Sequence, residues 1–233
     1  MRIRKKPWAV PELLACPYFI QQPESMKGHW REFFEKKQPL MLELGCGKGS
    51  FIAAIAHQHP NINFIAVDIK SDMLGYARRA LSFAFKGDDN VKNAALTAYN
   101  IEQICEILSP EDEIDRIYIN FCNPWPKGKH RKKRLTHTRQ LDKYKTFLKK
   151  GAQIHFKTDD MDLFRCTFSY LEESCGWKVL YSTENLYESE YEDNIPTEHE
   201  RMFSSQGIPI KFMIVQYCPK DNAVLRTTDY IQP

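Results

Sequence analysis

Leu40-Met41-Leu42-Glu43-Leu44-Gly45-Cys46-Gly47-Lys48-Gly49-Ser50 is the stretch that decides the fold. A mostly apolar run too short for a helix ends in three alternating glycines, and Phe51 to His57 then carries helical periodicity. A strand that turns on glycines into a helix opens a βαβ unit. The rhythm continues downstream. Ile62 to Val67 reads as a second strand, Met73 to Phe85 as a helix, Val91 to Leu96 as a third strand and Ile101 to Leu108 as a helix. Ile114 to Phe121 is the expected fourth strand, Gln153 to Phe156 the fifth after Gly151, and Met161 to Glu173 the next helix. Two last apolar runs, Trp177 to Tyr181 and Ile210 to Tyr217, read as a closing antiparallel hairpin with a long insertion. Strands alternating with helices require right-handed crossovers, and hence a mostly parallel, doubly wound α/β sheet with helices on both faces.

The frame around that pattern is simple. With 233 residues, 42% hydrophobic and 27% charged, the chain suits one well-buried core. The expected division is a basic N-terminal arm over 1–39 packed on the main domain, a main domain over 40–219, and a tail over 220–233. No apolar stretch approaches the ~18 residues that a membrane span needs. Met1-Arg2-Ile3-Arg4-Lys5-Lys6 runs into Pro7-Trp8 and not into an apolar signal core. The expectation is a cytoplasmic protein with no membrane partner. Seven cysteines with no Cys-x-x-Cys pair read as reduced structural thiols, and no metal site is expected.

Glycines between the first strand and helix allow a ligand close to the backbone and its free N–H groups. Asp68 closes the second strand, where a carboxylate can accept both hydroxyls of a ribose. The spacing Gly45-x-Gly47-x-Gly49 differs from the Gly-x-Gly-x-x-Gly that packs a pyrophosphate, and Glu43 adds a negative charge to the same crevice. A carboxylate repels a pyrophosphate and suits an ammonium and a sulfonium. S-adenosylmethionine is therefore favoured over NAD.

The formal charge of +3 hides an asymmetry. Lys127 to Arg139 holds seven Lys/Arg and no acid, while Glu184 to Glu200 holds seven Asp/Glu and no Lys or Arg. The basic run leaves the fourth strand through Asn120-Phe121-Cys122-Asn123-Pro124-Trp125-Pro126-Lys127. Ending at a ligand crevice, it reads as a phosphate-binding surface made by Lys129, Arg131, Lys132, Lys133 and Arg134, with Arg2 to Lys6 adding to it.

Asn123-Pro124-Trp125-Pro126-Lys127, followed by His130-Arg131-Lys132-Lys133-Arg134-Leu135, resembles the Asp-Pro-Trp-Pro-Lys signature of the bacterial tRNA (guanine-N7)-methyltransferases. Further matches are Arg4-Lys5-Lys6-Pro7-Trp8, Glu43 to Gly49, His155-Phe156-Lys157-Thr158-Asp159, and Thr197-Glu198-His199-Glu200 followed by Phe203. The resemblance covers nearly the whole chain, to about Pro219. It implies the Rossmann-like fold of class I S-adenosylmethionine-dependent methyltransferases and tRNA as the partner. It also implies cofactor binding by Glu43, Gly45, Gly47, Gly49, Asp68 and Thr97. The guanine pocket would be lined by Asn123 as the catalytic position and by Lys127, Asp159, Thr197, Glu198, His199 and Glu200. Carboxylates such as Glu198 and Glu200 match the N1 and N2 donors of guanine.

Two positions depart from the family. Asn123 stands where the signature has Asp, and Thr97 stands where members commonly carry an acid after the third strand. N7 of guanine carries an in-plane lone pair and loses no proton on methylation, so a general base is not required and Asn123 implies a slower enzyme. Two rivals stand beside this reading: a non-catalytic tRNA-binding relative, motivated by Asn123, and a methyltransferase for another acceptor. Monomer and homodimer are both open.

Overall fold

The computed structural model describes residues 5–219. Arg2 and Arg4, expected to hold phosphates, and the expected tail over 220–233 lie outside the described residues. In chain order the elements are α1 (Ala9–Leu14), β1 (Phe19–Ile20), α2 (Trp30–Phe33), β2 (Leu40–Leu44), α3 (Ser50–Gln58), β3 (Asn63–Asp68), α4 (Ser71–Ala84) and β4 (Ala94–Ala98). They continue with β5 (Ile114–Asn120), α5 (Thr138–Tyr144), β6 (Leu148–Thr158), α6 (Met161–Ser174), β7 (Trp177–Thr183), α7 (Glu198–Ser204) and β8 (Lys211–Tyr217).

The strands form one sheet in the order β1-β4-β3-β2-β5-β6-β8-β7. Pairings from β1 across to β6 are parallel, and β8 lies antiparallel between β6 and β7. The doubly wound sheet and its closing hairpin are therefore as the residue pattern predicts. Every residue of β2 is buried, as a central strand covered on both faces must be. Leu40, Leu42 and Leu44 face a core with Ile117, Ile119, Ile154, Phe156 and Leu163. Met41 faces the opposite core, under Phe51, Ile52 and Ile55 of α3, and alternation puts Glu43 on that same face. Gly49, at φ +78°, opens α3; a Cβ there would come within 2.5 Å of the Ala77 backbone, so this glycine sets how closely α3 and α4 approach.

Several boundaries move for identifiable reasons. The third expected strand, 91–96, is β4 over Ala94–Ala98. Asn93 lies just before it because its amide donates to the carbonyls of Ala56, His59 and Ile62, closing the turn between α3 and β3. The helix expected over 101–108 is a 3-10 turn over Ile101–Glu106, interrupted by non-helical Gln103. The fifth expected strand is longer: β6 runs through Gly151, whose φ of +84° accommodates an irregularity where the β5 register shifts. The two-residue β1 lies outside the predicted pattern altogether. It adds to the sheet edge through the Leu96 N–H to Tyr18 carbonyl bond of 2.8 Å.

Strand order reverses between β2 and β5, with β3 and β4 on one side and β6 on the other. Ligands in open α/β sheets bind beyond the carboxyl ends of the strands at such a point. The segments leaving Leu44 and Asn120 flank it.

Candidate active site

The β2–α3 turn and the end of β3 build one wall. The Gly45 N–H donates to the Val67 carbonyl at 2.8 Å, drawing the turn over β3. Asp68 accepts from Gly47 N–H and Lys70 N–H through its two oxygens, each at 2.9 Å. Burial raises the Asp68 carboxyl, against the opposing effect of these N–H bonds. Gly45 and Gly47 have φ of +82° and +54°, and a Cβ at either would meet nothing within 4 Å. Those positions border open space. The structure thus brings Glu43, Gly45, Gly47 and Asp68 to one crevice, whereas Gly49, expected beside them, is turned against the Ala77 backbone of α4 and sets helix packing instead.

Glu43 is 2% exposed. Its Oε1 accepts from the Asn120 amide at 3.2 Å, and its Oε2 is buried with no partner. Burial pushes the carboxyl up to about 8; Asn120 opposes the rise and nearby Asp68 adds to it. A buried oxygen without a donor is costly. A cationic ligand in the crevice would relieve that cost, so S-adenosylmethionine fits the residues present: unpaired carboxylate, open glycine turn and a ribose-type Asp at the next strand.

Thr97 does not join them. It is fully buried, and its hydroxyl donates to the Ile20 carbonyl at 2.9 Å, holding β1 to the sheet. The strand continues two residues beyond its expected end at Leu96. With β4 running to Ala98, the chain leaves the strand at Tyr99 and Asn100, and Tyr99 N–H donates to the Asp68 carbonyl at 3.0 Å. Ile69, immediately after Asp68, is an apolar side chain left 62% exposed.

The second wall is the segment after β5. Phe121 and Trp125 both adopt positive φ, +52° and +45°, a strained backbone of the kind that clusters at functional sites. Asn123 is exposed, and its Oδ1 accepts from the Trp125 N–H at 3.0 Å, which closes the turn. Lys127, Lys129, Arg131, Lys132 and Lys133 are exposed around the 3-10 turn Gly128–Lys133. Lys133 lies 5.2 Å from the centroid of the Trp125 ring.

Arg134 requires a correction. It is 1% exposed, and its guanidinium donates to the Pro124 carbonyl at 2.7 Å, to Tyr170 Oη at 3.4 Å and to Asp162 Oδ2 at 2.6 Å. It fastens the loop to α6 and is not available to a phosphate.

The third wall is α7. Thr197 caps it: Thr197 Oγ1 accepts from Glu200 N–H at 3.0 Å, while Glu200 Oε2 accepts from Thr197 N–H at 3.3 Å. Glu200 is fully buried and also accepts from Lys157 Nζ at 2.9 Å, Tyr187 Oη at 3.1 Å and the Asn194 amide at 2.6 Å. With its acceptor sites filled by its own chain, Glu200 is a support for α7 and not a guanine contact, which corrects that assignment. Burial lowers the Lys157 ammonium, and Glu200 opposes the change. Glu198 is half-exposed and paired with Lys48 Nζ at 2.8 Å. His199 is exposed, its ring stacked 6.2 Å from Phe121 at an interplanar angle of 21°. Asp159 leaves β6 beside the Asn123 segment, and its carboxylate makes no hydrogen bond or ion pair among the described residues. No group of three or more potential metal ligands occurs among the described residues. Likewise, no helix described is long and apolar enough to cross a membrane.

These features agree with what the chain is similar to. A family model described as "Putative methyltransferase" matches residues 37–213. The tRNA (guanine-N(7)-)-methyltransferase of Ruminiclostridium cellulolyticum is 54% identical over 222 residues, covering 94% of each chain. That of Clostridium beijerinckii is also 54% identical, over 95% of this chain and 100% of its own length. Among solved structures, the 16S rRNA methyltransferase KamB matches with a TM-score of 0.54 at 15% identity, covering 94% of this chain and 97% of its own. The plantazolicin methyltransferase BpumL in complex with SAH matches with a TM-score of 0.52 at 13% identity, over 84% and 82%. At those identities the two structures speak for the fold alone.

Proposed function

Because the chain belongs to the bacterial tRNA (guanine-N7)-methyltransferase family, we infer that it transfers a methyl group from S-adenosylmethionine to N7 of a guanine in tRNA, using the crevice between the β2–α3 turn, the Asn123 segment and α7. The observation that carries the chemistry is the buried, partnerless Oε2 of Glu43 at the strand-order reversal. It marks a place built for positive charge.

When bound there, the cofactor supplies a methyl group on a positively charged sulfur. Asp68 would accept the ribose hydroxyls, with Gly45 and Gly47 leaving room along the turn and Gly49 seating α3 against α4. Glu43 would face the ammonium and sulfonium, and Tyr99, Asn100 and Ile69 would border the adenine. In the reaction N7 of guanine gains a bond to carbon as the carbon–sulfur bond breaks; the positive charge passes to the base and the sulfur leaves as a neutral thioether. No proton moves, so the protein's task is orientation and electrostatics. Asp159, Asn123 and His199 would surround the base, which must leave its stack to reach them. Lys129, Arg131, Lys132 and Lys133 would hold backbone phosphates, with Lys127 at the guanine pocket. We place the protein in the cytoplasm; its seven cysteines are all unpaired.

The test is to incubate unmodified tRNA with methyl-labelled S-adenosylmethionine and map the product base. Label on N7 of guanine is expected. Label on another base or atom, or transfer only to a non-RNA acceptor, would overturn the reading. Tight tRNA binding with no incorporation would instead mark a non-catalytic relative, the outcome that Asn123 makes worth checking.

A further inference from the structure

Helix α7, which carries the substrate segment, is fastened to two parts of the cofactor crevice. On one side Lys48 Nζ pairs with Glu198 Oε1 at 2.8 Å, and Glu198 N–H donates to Ser50 Oγ at 3.1 Å. Lys48 and Ser50 belong to the glycine turn and the first residue of α3. On the other side the buried Glu200 accepts from Lys157 at 2.9 Å, and Lys157 pairs across the sheet with Asn120, whose amide holds Glu43. These contacts span 148 to 150 residues of sequence on the turn side and 43 on the strand side. Nothing in the α7 segment's own packing requires Lys48. Its ammonium is half-exposed.

We propose that Lys48 and Ser50 are positioning residues that tie the tRNA-facing helix α7 to the cofactor turn, so that cofactor binding and tRNA binding strengthen each other. This rests on the function inferred above. A ligand seated on Gly45 to Gly49 orders the turn, and the ordered turn holds Glu198 and hence α7 in place for the base. Coupling between two sites is reciprocal, so tRNA must tighten the cofactor by the same factor. Glu198 on this account acts through Lys48, not by touching guanine.

The experiment measures the affinity of S-adenosylhomocysteine by calorimetry with and without saturating tRNA, in the wild type and in Lys48→Met, Glu198→Gln, the double variant and Lys48→Arg. The ratio of the two affinities is the coupling factor, and it cancels any change in cofactor binding alone. We expect a factor above one in the wild type. Lys48→Met and Glu198→Gln should each reduce it by about two- to fivefold, the range for one half-exposed ion pair. The double variant should lose no more than either single one, and Lys48→Arg should keep most of the factor. A wild-type factor of one, an undiminished factor in Lys48→Met, or losses that add in the double variant would each overturn the proposal. Additive losses would show that Glu198 meets the RNA directly. Because the product analogue supports no turnover, the result is independent of the methylation test: wild-type protein that binds both ligands with coupling but methylates nothing would fail the functional reading and keep this one.

Discussion

Replacing Glu43 by Gln should stabilise the protein without cofactor and disable cofactor binding, two effects of opposite sign from one oxygen. The carboxyl titrates at about 8 in place of 4.5, chiefly because it is buried. At about 1.36 kcal/mol for each tenfold change in proton affinity, that difference caps the cost of ionised Glu43 at about 5 kcal/mol. Relaxation and water entry bring the expected value to about 2–3 kcal/mol. The sign follows from the direction. An acid whose folded-state pKa is raised contributes stability that is complete below 4.5 and lost as pH rises through about 8. The gap between Glu43→Gln and wild type should therefore widen from pH 4.5 upward and level off above 8. Gln keeps the acceptor for Asn120 and carries no charge, as protonated Glu does. At pH 8.5 the unliganded variant should melt several degrees above wild type, given about 2–4 °C per kcal/mol at this chain length. Saturating S-adenosylhomocysteine should raise the wild-type melting temperature and leave the variant nearly unmoved. Thermal melts of both proteins at pH 6 and 8.5, with and without ligand, read these differences. A variant no more stable than wild type at pH 8.5 would show that Glu43 is not held at a desolvation cost, and retained affinity in the variant would remove it from the cofactor site.

Other perturbations separate the remaining roles. Asp68→Ala should weaken S-adenosylhomocysteine at least tenfold, since it removes a charged acceptor of two hydroxyls as well as the bond to Gly47 N–H; unchanged affinity by calorimetry would sink the assignment. Changing Lys129, Arg131, Lys132 and Lys133 to Gln should weaken tRNA binding and flatten its dependence on salt while barely moving the melting temperature. Arg134→Leu should do the reverse, costing about 3–5 kcal/mol in an unfolding titration because Asp162 and the Pro124 carbonyl lose their partner; a normal melt would return Arg134 to the phosphate surface. Asn123→Asp should raise the single-turnover methylation rate about five- to thirtyfold, the reach of one exposed charge on a cationic transition state worth about 1–2 kcal/mol. A wild type already as fast would show that an acceptor at this position suffices.

The sheet was legible because its signals are local. Leu40 to Leu44 could be read from five residues and the glycines behind them, and each later strand from its own apolar run. What escaped was set by distant contacts. Phe19–Ile20 is two residues long and exists as a strand because Thr97 and Leu96 receive it. Its propensity alone predicts nothing. The same contact misled the reading of Thr97, whose hydroxyl is spent on Ile20 where an adenine ligand had been expected.

Charge patterns misled for a related reason. Lys133 and Arg134 are adjacent and both basic, yet Lys133 stands in solvent while Arg134 is enclosed by α6 and the Pro124 carbonyl. Sequence records that a residue carries charge and not where the charge is neutralised. Asp162, the partner that decides the matter, lies 28 residues away. Glu200 is different, because a local signal was present. Thr197-x-x-Glu200 has the spacing in which a hydroxyl and a carboxylate satisfy each other's backbone N–H groups at a helix start, and the bonds of 3.0 and 3.3 Å show that they do. A shared motif identifies residues that a fold cannot dispense with, and it does not distinguish those that meet the substrate from those that hold them. Along α7 the side chains divide by direction: Glu200 faces inward to Lys157, His199 stacks outward beside Phe121, and Glu198 pairs with Lys48. Periodicity on a helix of seven residues, and not chemical type, decides which of these side chains is enclosed and which is exposed.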